Sequence, residues 1–205
     1  LPRITREIRS RLIKNEGNNT PGSVMSMVMK DRERFHMLLK FAKFSQKPLT
    51  VKDGRFIRHL PQIFMGGDQS FRQLPALAPK SFRQLFDSVV RNPANPKFRV
   101  ALFTGCAQDF IYPEQLVAAV KVLNRKGVAV DFPRSQTCCG LPLEMMGQRE
   151  TSIAVAKQNI EAFAGGGYDA ILTLCASCSG HLTNAYTDLL TEYPDNIRAQ
   201  EFAGK

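Results

Sequence analysis

The chain has 205 residues, and its hydrophobic share of 43% is typical of a globular protein and far above the range of disordered chains. A membrane-spanning helix is not expected, because the most apolar stretch, residues 24–44, is interrupted by five successive charged residues and is too short on either side of them. No charged-then-apolar leader is visible, so secretion is not expected, and a first residue other than Met predicts a piece of a longer protein.

The net charge of +10 belongs to the first half of the chain. Residues 1–99 hold 20 Lys and Arg against 7 Asp and Glu, whereas residues 100–205 hold 8 against 11. A basic surface attracts nucleic acid, anionic membranes or acidic partner subunits. No aromatic-interleaved platform or recognition-helix motif accompanies these charges, so we expect no nucleic-acid partner and keep the other two classes.

Residues 1–98 are predicted to form a basic helical and extended arm. We expect a short helix from Ile4 to Lys14 and a longer one that begins at an N-cap, Ser23, and ends before Pro48. The apolar face of the longer helix is predicted to consist of Val24, Val28, Phe35, Leu38, Leu39 and Ala42, and its four methionines (25, 27, 29 and 37) are interpreted as core filler rather than as an adaptable contact surface. Residues 49–98 show no sustained periodicity except for a predicted helix over residues 81–90.

From residue 99 onward, short apolar runs alternate with helical patterns. The predicted strands cover residues 99–103, 128–132 and 169–174, and the predicted helices run from Pro113 to Arg125, from Glu150 to Phe163, and from a cap at Ser179 to about Glu192. This alternation is typical of right-handed βαβ units around a parallel sheet. The predicted fold class is therefore α/β, a Rossmann-like three-strand βαβαβ half-domain with flanking helices, occupying residues 99–205 as one domain.

The five cysteines all follow the predicted strands. Cys106 comes after the first strand, Cys138 and Cys139 after the second, and Cys175 and Cys178 after the third. Because the carboxyl ends of parallel strands meet at one edge of a sheet, we expect the five thiols to form one site. An odd number of cysteines confined to one segment fits a disulfide framework badly and indicates a metal or redox site in a reducing compartment.

Five thiolates exceed the four ligands of a tetrahedral zinc ion and suit a polynuclear iron–sulfur cluster. The pair Cys175 and Cys178 alone would be ambiguous between a redox dithiol and a metal site. Helix N-termini after Cys106 and Cys178 are expected to add positive potential. His181 is interpreted as an outer-layer or helix-capping residue rather than as a ligand.

The spacing of Cys106, Cys138-Cys139-Gly140 and Cys175-x-x-Cys178 resembles the cysteine-rich CCG domain. That domain occurs in heterodisulfide reductase (its B subunit), in glycolate oxidase iron–sulfur subunits and in lactate-utilisation iron–sulfur proteins, and the resemblance covers about residues 99–192. It implies that Cys106, Cys138, Cys139, Cys175 and Cys178 bind an iron–sulfur cluster of the 4Fe–4S type. The cluster is non-cubane in the heterodisulfide reductase member, and some copies of the domain carry zinc.

Residues 53–61 and 74–85 resemble the tail of a lactate-utilisation subunit that bears a ferredoxin-like domain. The two resemblances together imply an electron-transfer module of an L-lactate dehydrogenase complex, with other iron–sulfur or flavin subunits as partners. It would lie in the cytoplasm and touch the inner face of the cell membrane. The family's second CCG domain and the ferredoxin-like cysteine segments are not among the 205 residues, so we expect no substrate turnover by this chain alone.

Two alternatives remain open from the sequence. One is a thiol or disulfide redox site like that of heterodisulfide reductase, which solvent access beside Cys138 and Cys139 would favour. The other is a structural zinc module whose basic arm docks a partner.

Overall fold

A three-stranded parallel sheet lies at the centre of the computed structural model, which describes residues 2–17, 20–45, 56–57, 74–191 and 196–205. The sheet consists of β3 (Phe98–Leu102), β4 (Val128–Asp131) and β5 (Ala170–Leu172). Their order is β4–β3–β5, and β3 pairs in parallel with both neighbours. The predicted α/β class and the βαβαβ order of elements are therefore confirmed.

Helices surround this sheet on both faces. The first half contributes α1 (Pro2–Glu16), α2 (Thr20–Lys30), α3 (Arg32–Ser45), a two-residue antiparallel pair of β1 (Phe56–Ile57) with β2 (Leu74–Pro75), and α4 (Phe82–Val89). The second half contributes α5 (Ala107–Phe110), α6 (Pro113–Arg125), α7 (Leu141–Met145), α8 (Arg149–Phe163), α9 (Ala176–Gly180), a π-helical turn (His181–Ala185), α10 (Tyr186–Leu189) and α11 (Asn196–Ala203). None of the described helices is long and apolar enough to cross a membrane.

The side chains of β3 alternate between two apolar cores, as the period of two along a strand requires. Val100 and Leu102 face the core that α4 and α6 complete, whereas Ala101 and Phe103 face the core that α8 completes. Both faces of the strand are covered, which explains why residues 99–103 are almost continuously apolar.

The start of the last helical segment differs from the prediction. Cys175 occupies the N-cap position of α9, so the helix begins three residues before the predicted cap at Ser179, and Cys178 lies inside the helix rather than at its start. The short helices α7 and α11 were not predicted, because four to eight residues give too little periodicity to detect.

The longer helix predicted for the arm is two helices in the structure. An Asp31 carboxylate oxygen accepts a hydrogen bond from the Arg34 backbone N–H at 3.1 Å, which caps α3 and separates it from α2. The N-cap predicted at Ser23 was wrong, because this residue lies within α2. The predicted apolar face assumed one continuous helix, and the break leaves Val24 and Leu38 exposed.

The methionines of this segment divide between the two interpretations. Met29 is buried in the core beside α8, and Met25 packs against the same core. Met27 and Met37 are exposed. The core-filler interpretation is therefore correct for two of the four.

The described helices of the predicted arm lie against the α/β domain. Gln158 of α8 donates a hydrogen bond to the Lys30 carbonyl at 2.8 Å, and Ser26 bonds to the Thr151 hydroxyl. Arg9 of α1 donates to the Met145 carbonyl at 2.7 Å. The predicted domain boundary between residues 98 and 99 stays a prediction. Because α4 lies before this boundary but packs into the core beside β3, its contribution to stability tests the boundary directly.

Phe82 of α4 is fully buried, and its ring lies 5.4 Å from that of Phe132 and 5.7 Å from that of Phe86, measured between centroids. We expect Phe82→Ala to lower the free energy of unfolding by about 3–5 kcal/mol, because it removes a large side chain from a closed core. Urea denaturation measures this. The matched control is Phe98→Ala, whose side chain is 58% exposed in β3 and whose loss is expected to cost only about 0.5 kcal/mol. Equal, small losses for both variants would show that α4 is not part of the domain core.

Candidate metal centre

The structure places the five cysteines at the carboxyl edge of the parallel sheet. Cys106 lies between β3 and α5, Cys138 and Cys139 lie between β4 and α7, Cys175 is the N-cap of α9, and Cys178 lies within that helix. All five are free thiols. Cys138, Cys139 and Cys178 are buried, whereas Cys106 and Cys175 are partly exposed.

Side-chain contacts link the five thiols one to the next, and we call this linked series the row. The sulfur atoms of Cys106 and Cys138 lie 3.8 Å apart. Hydrogen bonds between side chains continue the row from Cys138 to Cys139, from Cys139 to Cys178 and from Cys178 to Cys175. Among the residues that the structure describes, no group of three or more His, Cys, Asp or Glu side chains is arranged to hold a single metal ion.

The hydrogen bonds within this row divide the thiols into two kinds. The bond from Cys138 lowers the pKa of Cys106, and the bonds from Cys138 and Cys178 lower the pKa of Cys139 to about 3 despite burial. Donating to these neighbours, together with burial, raises the pKa of Cys138 and of Cys178. Adjacent thiols therefore do not ionise together, and only a bound cation would remove all of their protons.

Two glycines allow the loops to approach each other. Gly105 has a φ of +62°, and a Cβ atom at this position would lie 3.0 Å from the Cys178 sulfur. Gly140 has a φ of +92°, and a Cβ atom there would lie 3.2 Å from the Ser152 hydroxyl. A side chain at either position would be strained and would push neighbouring elements of the site apart.

A buried glutamine connects the first two loops. The Gln136 side-chain oxygen accepts a hydrogen bond from the Thr104 backbone N–H at 2.7 Å. Its amide nitrogen donates to the Leu102 carbonyl at 2.7 Å and to the Pro133 carbonyl at 2.9 Å. Gln136 is fully buried, so this network fixes the loop of Cys106 relative to the loop of Cys138 without competition from water.

A second buried network connects the middle loop to the helices behind it. The Asn159 side chain of α8 accepts from the Thr137 backbone N–H at 2.8 Å and donates to the Cys138 carbonyl, also at 2.8 Å. The Tyr186 hydroxyl of α10 accepts from Asn159 at 2.9 Å and donates to the Cys139 carbonyl at 2.9 Å. The backbone of residues 137–139 is thereby held by side chains from two different helices.

Sequence reasoning missed Gln136, Asn159 and Tyr186. A signal was present for Asn159, which lies four residues from Val155 and from Phe163 on the buried face of α8. A polar residue on an apolar helix face must find a buried hydrogen-bond partner, so such a position is a candidate for holding a neighbouring loop.

His181 lies behind the row of thiols and is buried, with its ring 5.6 Å from that of Tyr186. Its Nδ1 atom is 3.4 Å from a carboxylate oxygen of Glu144, which also pairs with Arg6 at 3.1 Å. Burial lowers the pKa of His181 to about 4, although the nearby Cys139 opposes this shift. This position agrees with the predicted outer-layer role.

An ion pair anchors α4 beside the first cysteine loop. Arg83 donates through Nε to an Asp109 carboxylate oxygen at 2.6 Å, and its backbone N–H donates to the other oxygen at 3.1 Å. Asp109 is fully buried, and burial raises its pKa while Arg83 opposes the rise. Asp109 lies in α5, the helix that begins directly after Cys106. The pair therefore connects residues 81–85 to the site.

The donor set consists of sulfur atoms alone, which is the ligand type that zinc and iron–sulfur clusters take from proteins. Five donors on three loops exceed the four that one tetrahedral ion takes, and among the described residues no set of them is arranged around a single ion, so they fit a larger group better. The residues present therefore fit a polynuclear metal group.

The chain is similar to a known domain family and to several iron–sulfur and redox proteins. Residues 100–183 match the family model of the CCG cysteine-rich domain. An iron–sulfur protein of Methanococcus maripaludis is 45% identical over 94 residues, which are 46% of this chain and 19% of that protein. The B subunit of the fumarate reductase (CoM/CoB) of Methanothermobacter marburgensis is 38% identical over 92 residues, 45% of this chain and 18% of the relative.

Lactate utilization protein A 2 of Bacillus cereus is 37% identical over 91 residues, which are 44% of this chain and 37% of that protein. The chain thus spans well under half the length of these relatives. No solved structure matches the chain significantly. The matched segment begins in β3, ends in the π-helical turn and includes all five thiols, and this segment of the chain is a member of the cysteine-rich CCG domain family.

Proposed function

We propose that the chain is an electron-transfer module whose five cysteines bind an iron–sulfur cluster. The observation that carries this proposal is the row of five free thiols that three loops bring to one edge of the sheet. Similarity to proteins named as iron–sulfur proteins supports it. The proposed ligands are Cys106, Cys138, Cys139, Cys175 and Cys178.

A bound cluster of the 4Fe–4S type would supply one-electron storage at this edge. The protein's own contribution is positioning and exclusion of water. Gln136, Asn159 and Tyr186 hold the loop backbones, while Phe103 and Leu143 belong to the buried core that contains Cys138, Cys139 and Cys178. Burial of three of the five sulfurs limits access of water and oxidants to the site.

We further propose that the module serves an L-lactate dehydrogenase complex in the cytoplasm, with iron–sulfur or flavin subunits as partners. The similarity to lactate utilization protein A 2 of Bacillus cereus supports this role. The contacts of residues 80–85 place this segment next to the site: Phe82 fills the core, and Arg83 pairs with Asp109 beside Cys106. These residues join the preceding segment to the cysteine loops.

The two alternatives are less well supported. A thiol or disulfide redox site was expected to show solvent access beside Cys138 and Cys139, but these residues are only 1% and 3% exposed. A structural zinc site needs four convergent ligands, whereas the five thiols are linked in a row.

Contact with an anionic membrane surface is a further part of the proposal. Ile4, Ile8 and Leu12 recur every four residues on α1 and are exposed, while Arg9 on another face of the helix bonds to the domain. A basic helix with an exposed apolar stripe is typical of peripheral membrane attachment.

We expect Cys139→Ala to abolish retention of iron and sulfide after anaerobic reconstitution, because Cys139 is the middle member of the row. Elemental analysis and the visible absorption of the cluster measure this. The matched control is Ser177→Ala, next to Cys178 but exposed, which should retain both at the wild-type level. Undiminished metal in Cys139→Ala, bound as about one zinc ion, would instead support the zinc module.

Tyr186→Phe is expected to shorten the lifetime of the reconstituted cluster in air by about tenfold. The substitution leaves the Cys139 carbonyl and the Asn159 amide without their buried partner, at a cost of about 1–3 kcal/mol. Decay of the cluster absorbance measures the lifetime, and urea denaturation of the cluster-free protein measures the stability loss. The control is Tyr112→Phe, at a more exposed tyrosine in the N-cap position of α6. It should change neither the cluster lifetime nor the stability of the cluster-free protein. Wild-type decay in Tyr186→Phe would contradict a role for the Asn159–Tyr186 hydrogen bonds in holding the cluster.

Ile8→Ser should weaken binding to vesicles of phosphatidylserine and phosphatidylcholine by at least about tenfold, since an isoleucine buried in the interface contributes about 1.5–3 kcal/mol. Co-sedimentation measures binding, and vesicles of phosphatidylcholine alone should bind little of either protein. The control is Ile197→Ser, at an isoleucine on α11 that is also exposed and lies in the acidic half of the chain. Equal effects of the two substitutions would rule out membrane contact through α1.

A further inference from the structure

We propose that electrons enter and leave the site across an uncharged surface on α9, next to Cys175 and Cys106, and that this surface docks a redox protein whose own contact face is uncharged. The proposal rests on the proposed function, since it requires a cluster at the five thiols. It adds the place of electron exchange and the kind of partner.

The first observation is the unequal exposure of the thiols. Cys106 and Cys175 are partly exposed and lie at the two ends of the row, while the three sulfurs between them are buried. Within the part of the chain that the structure describes, an electron donor or acceptor in solution can therefore approach the site most closely at these two cysteines.

The second observation is the absence of charge from the loops that form this edge. Residues 100–108, 135–143 and 170–187 contain no Asp, Glu, Lys or Arg, although 22% of the chain is charged. The residues that follow the first two of these segments, Asp109 and Glu144, are both buried and paired with Arg83 and Arg6. They present no open charge at the edge. Arg134 lies at its rim and is paired with Asp87.

The third observation is the size of the exposed side chains. Leu174, Ala176, Ser177, Ser179 and Gly180 lie within five residues of Cys175 along the chain and are all exposed, and all but Leu174 are small; we call these five residues the α9 platform. Small side chains allow the backbone of a partner to come near the site, and a short distance favours electron transfer.

The chemistry of the partner follows from the chemistry of the platform. A charged face would lose water against the platform without gaining an opposite charge, which costs free energy. A face of apolar and small polar residues would bury Leu174 and pair with the hydroxyls without this cost.

The first test uses the cluster-free protein and reads out thiol exposure. Brief treatment with iodoacetamide, followed by peptide mass mapping, should modify Cys106 and Cys175 well before the other three thiols. Modification of Cys138, Cys139 and Cys178 at the same rate would overturn the proposed edge.

The second test measures electron exchange. The protein is reconstituted, reduced with dithionite and mixed with ferricyanide in a stopped-flow instrument; one electron passes from the reduced cluster to each ferricyanide ion, giving ferrocyanide. At an ionic strength of about 10 mM, Ala176→Lys should react at least about tenfold faster than Ala176→Glu, because the oxidant is a trianion. The difference should shrink toward unity at about 1 M salt, where screening is nearly complete.

The matched control is the pair Ala164→Lys and Ala164→Glu, at an exposed alanine just after α8, at the opposite end of the sheet. These two variants should differ by less than about twofold at low salt. A Lys-to-Glu ratio at Ala176 no larger than that at Ala164 would overturn the proposal. If an Ala176 variant does not retain its cluster, Ser179→Lys and Ser179→Glu take its place. Failure of the wild-type protein to bind iron and sulfide would instead refute the proposed function, so the two failures are distinguishable.

Discussion

The arrangement of the site depends on the pairing of β3 with both β4 and β5 in parallel. This pairing forces the three loops that follow the strands to leave the sheet at one edge. Cysteines separated by more than thirty residues along the chain therefore become neighbours, and Cys106 and Cys138 come within 3.8 Å of each other.

The buried networks turn this proximity into a defined geometry. Gln136 joins the first loop to the second, and the Asn159–Tyr186 pair joins the second loop to α8 and α10. Because these side chains are buried, an unmade hydrogen bond would cost the full desolvation of its partner, so the loops have few alternative conformations. The same rigidity keeps the five thiols linked in the row, in which the pKa of Cys106 is lowered and that of Cys138 is raised. Binding of a multivalent metal group would displace the remaining thiol protons.

The sequence was informative where the pattern is local and long. The ends of the strands and of α8 were predicted within two residues and those of α6 without error, and the spacing of the cysteines after the strands predicted the common edge. It was misleading at helix starts: Asp31 caps α3 and divides one predicted helix into two, and Cys175 rather than Ser179 lies at the N-cap position of α9, where no side-chain hydrogen bond marks the start. The hydrogen bonds of Gln136 to Thr104 and of Tyr186 to Cys139 could not be predicted, because these backbone partners are 32 and 47 residues away and only the fold brings them near.

The central claim is that the five thiols bind one iron–sulfur cluster and that the site therefore stores electrons. The most direct measurement is the iron, acid-labile sulfide and zinc content of protein expressed with iron and purified without air, combined with electron paramagnetic resonance before and after reduction. We predict iron and sulfide in equal amounts, little zinc, and a signal that changes with the oxidation state. About one zinc ion per chain, with no iron, no sulfide and no such signal, would contradict the account.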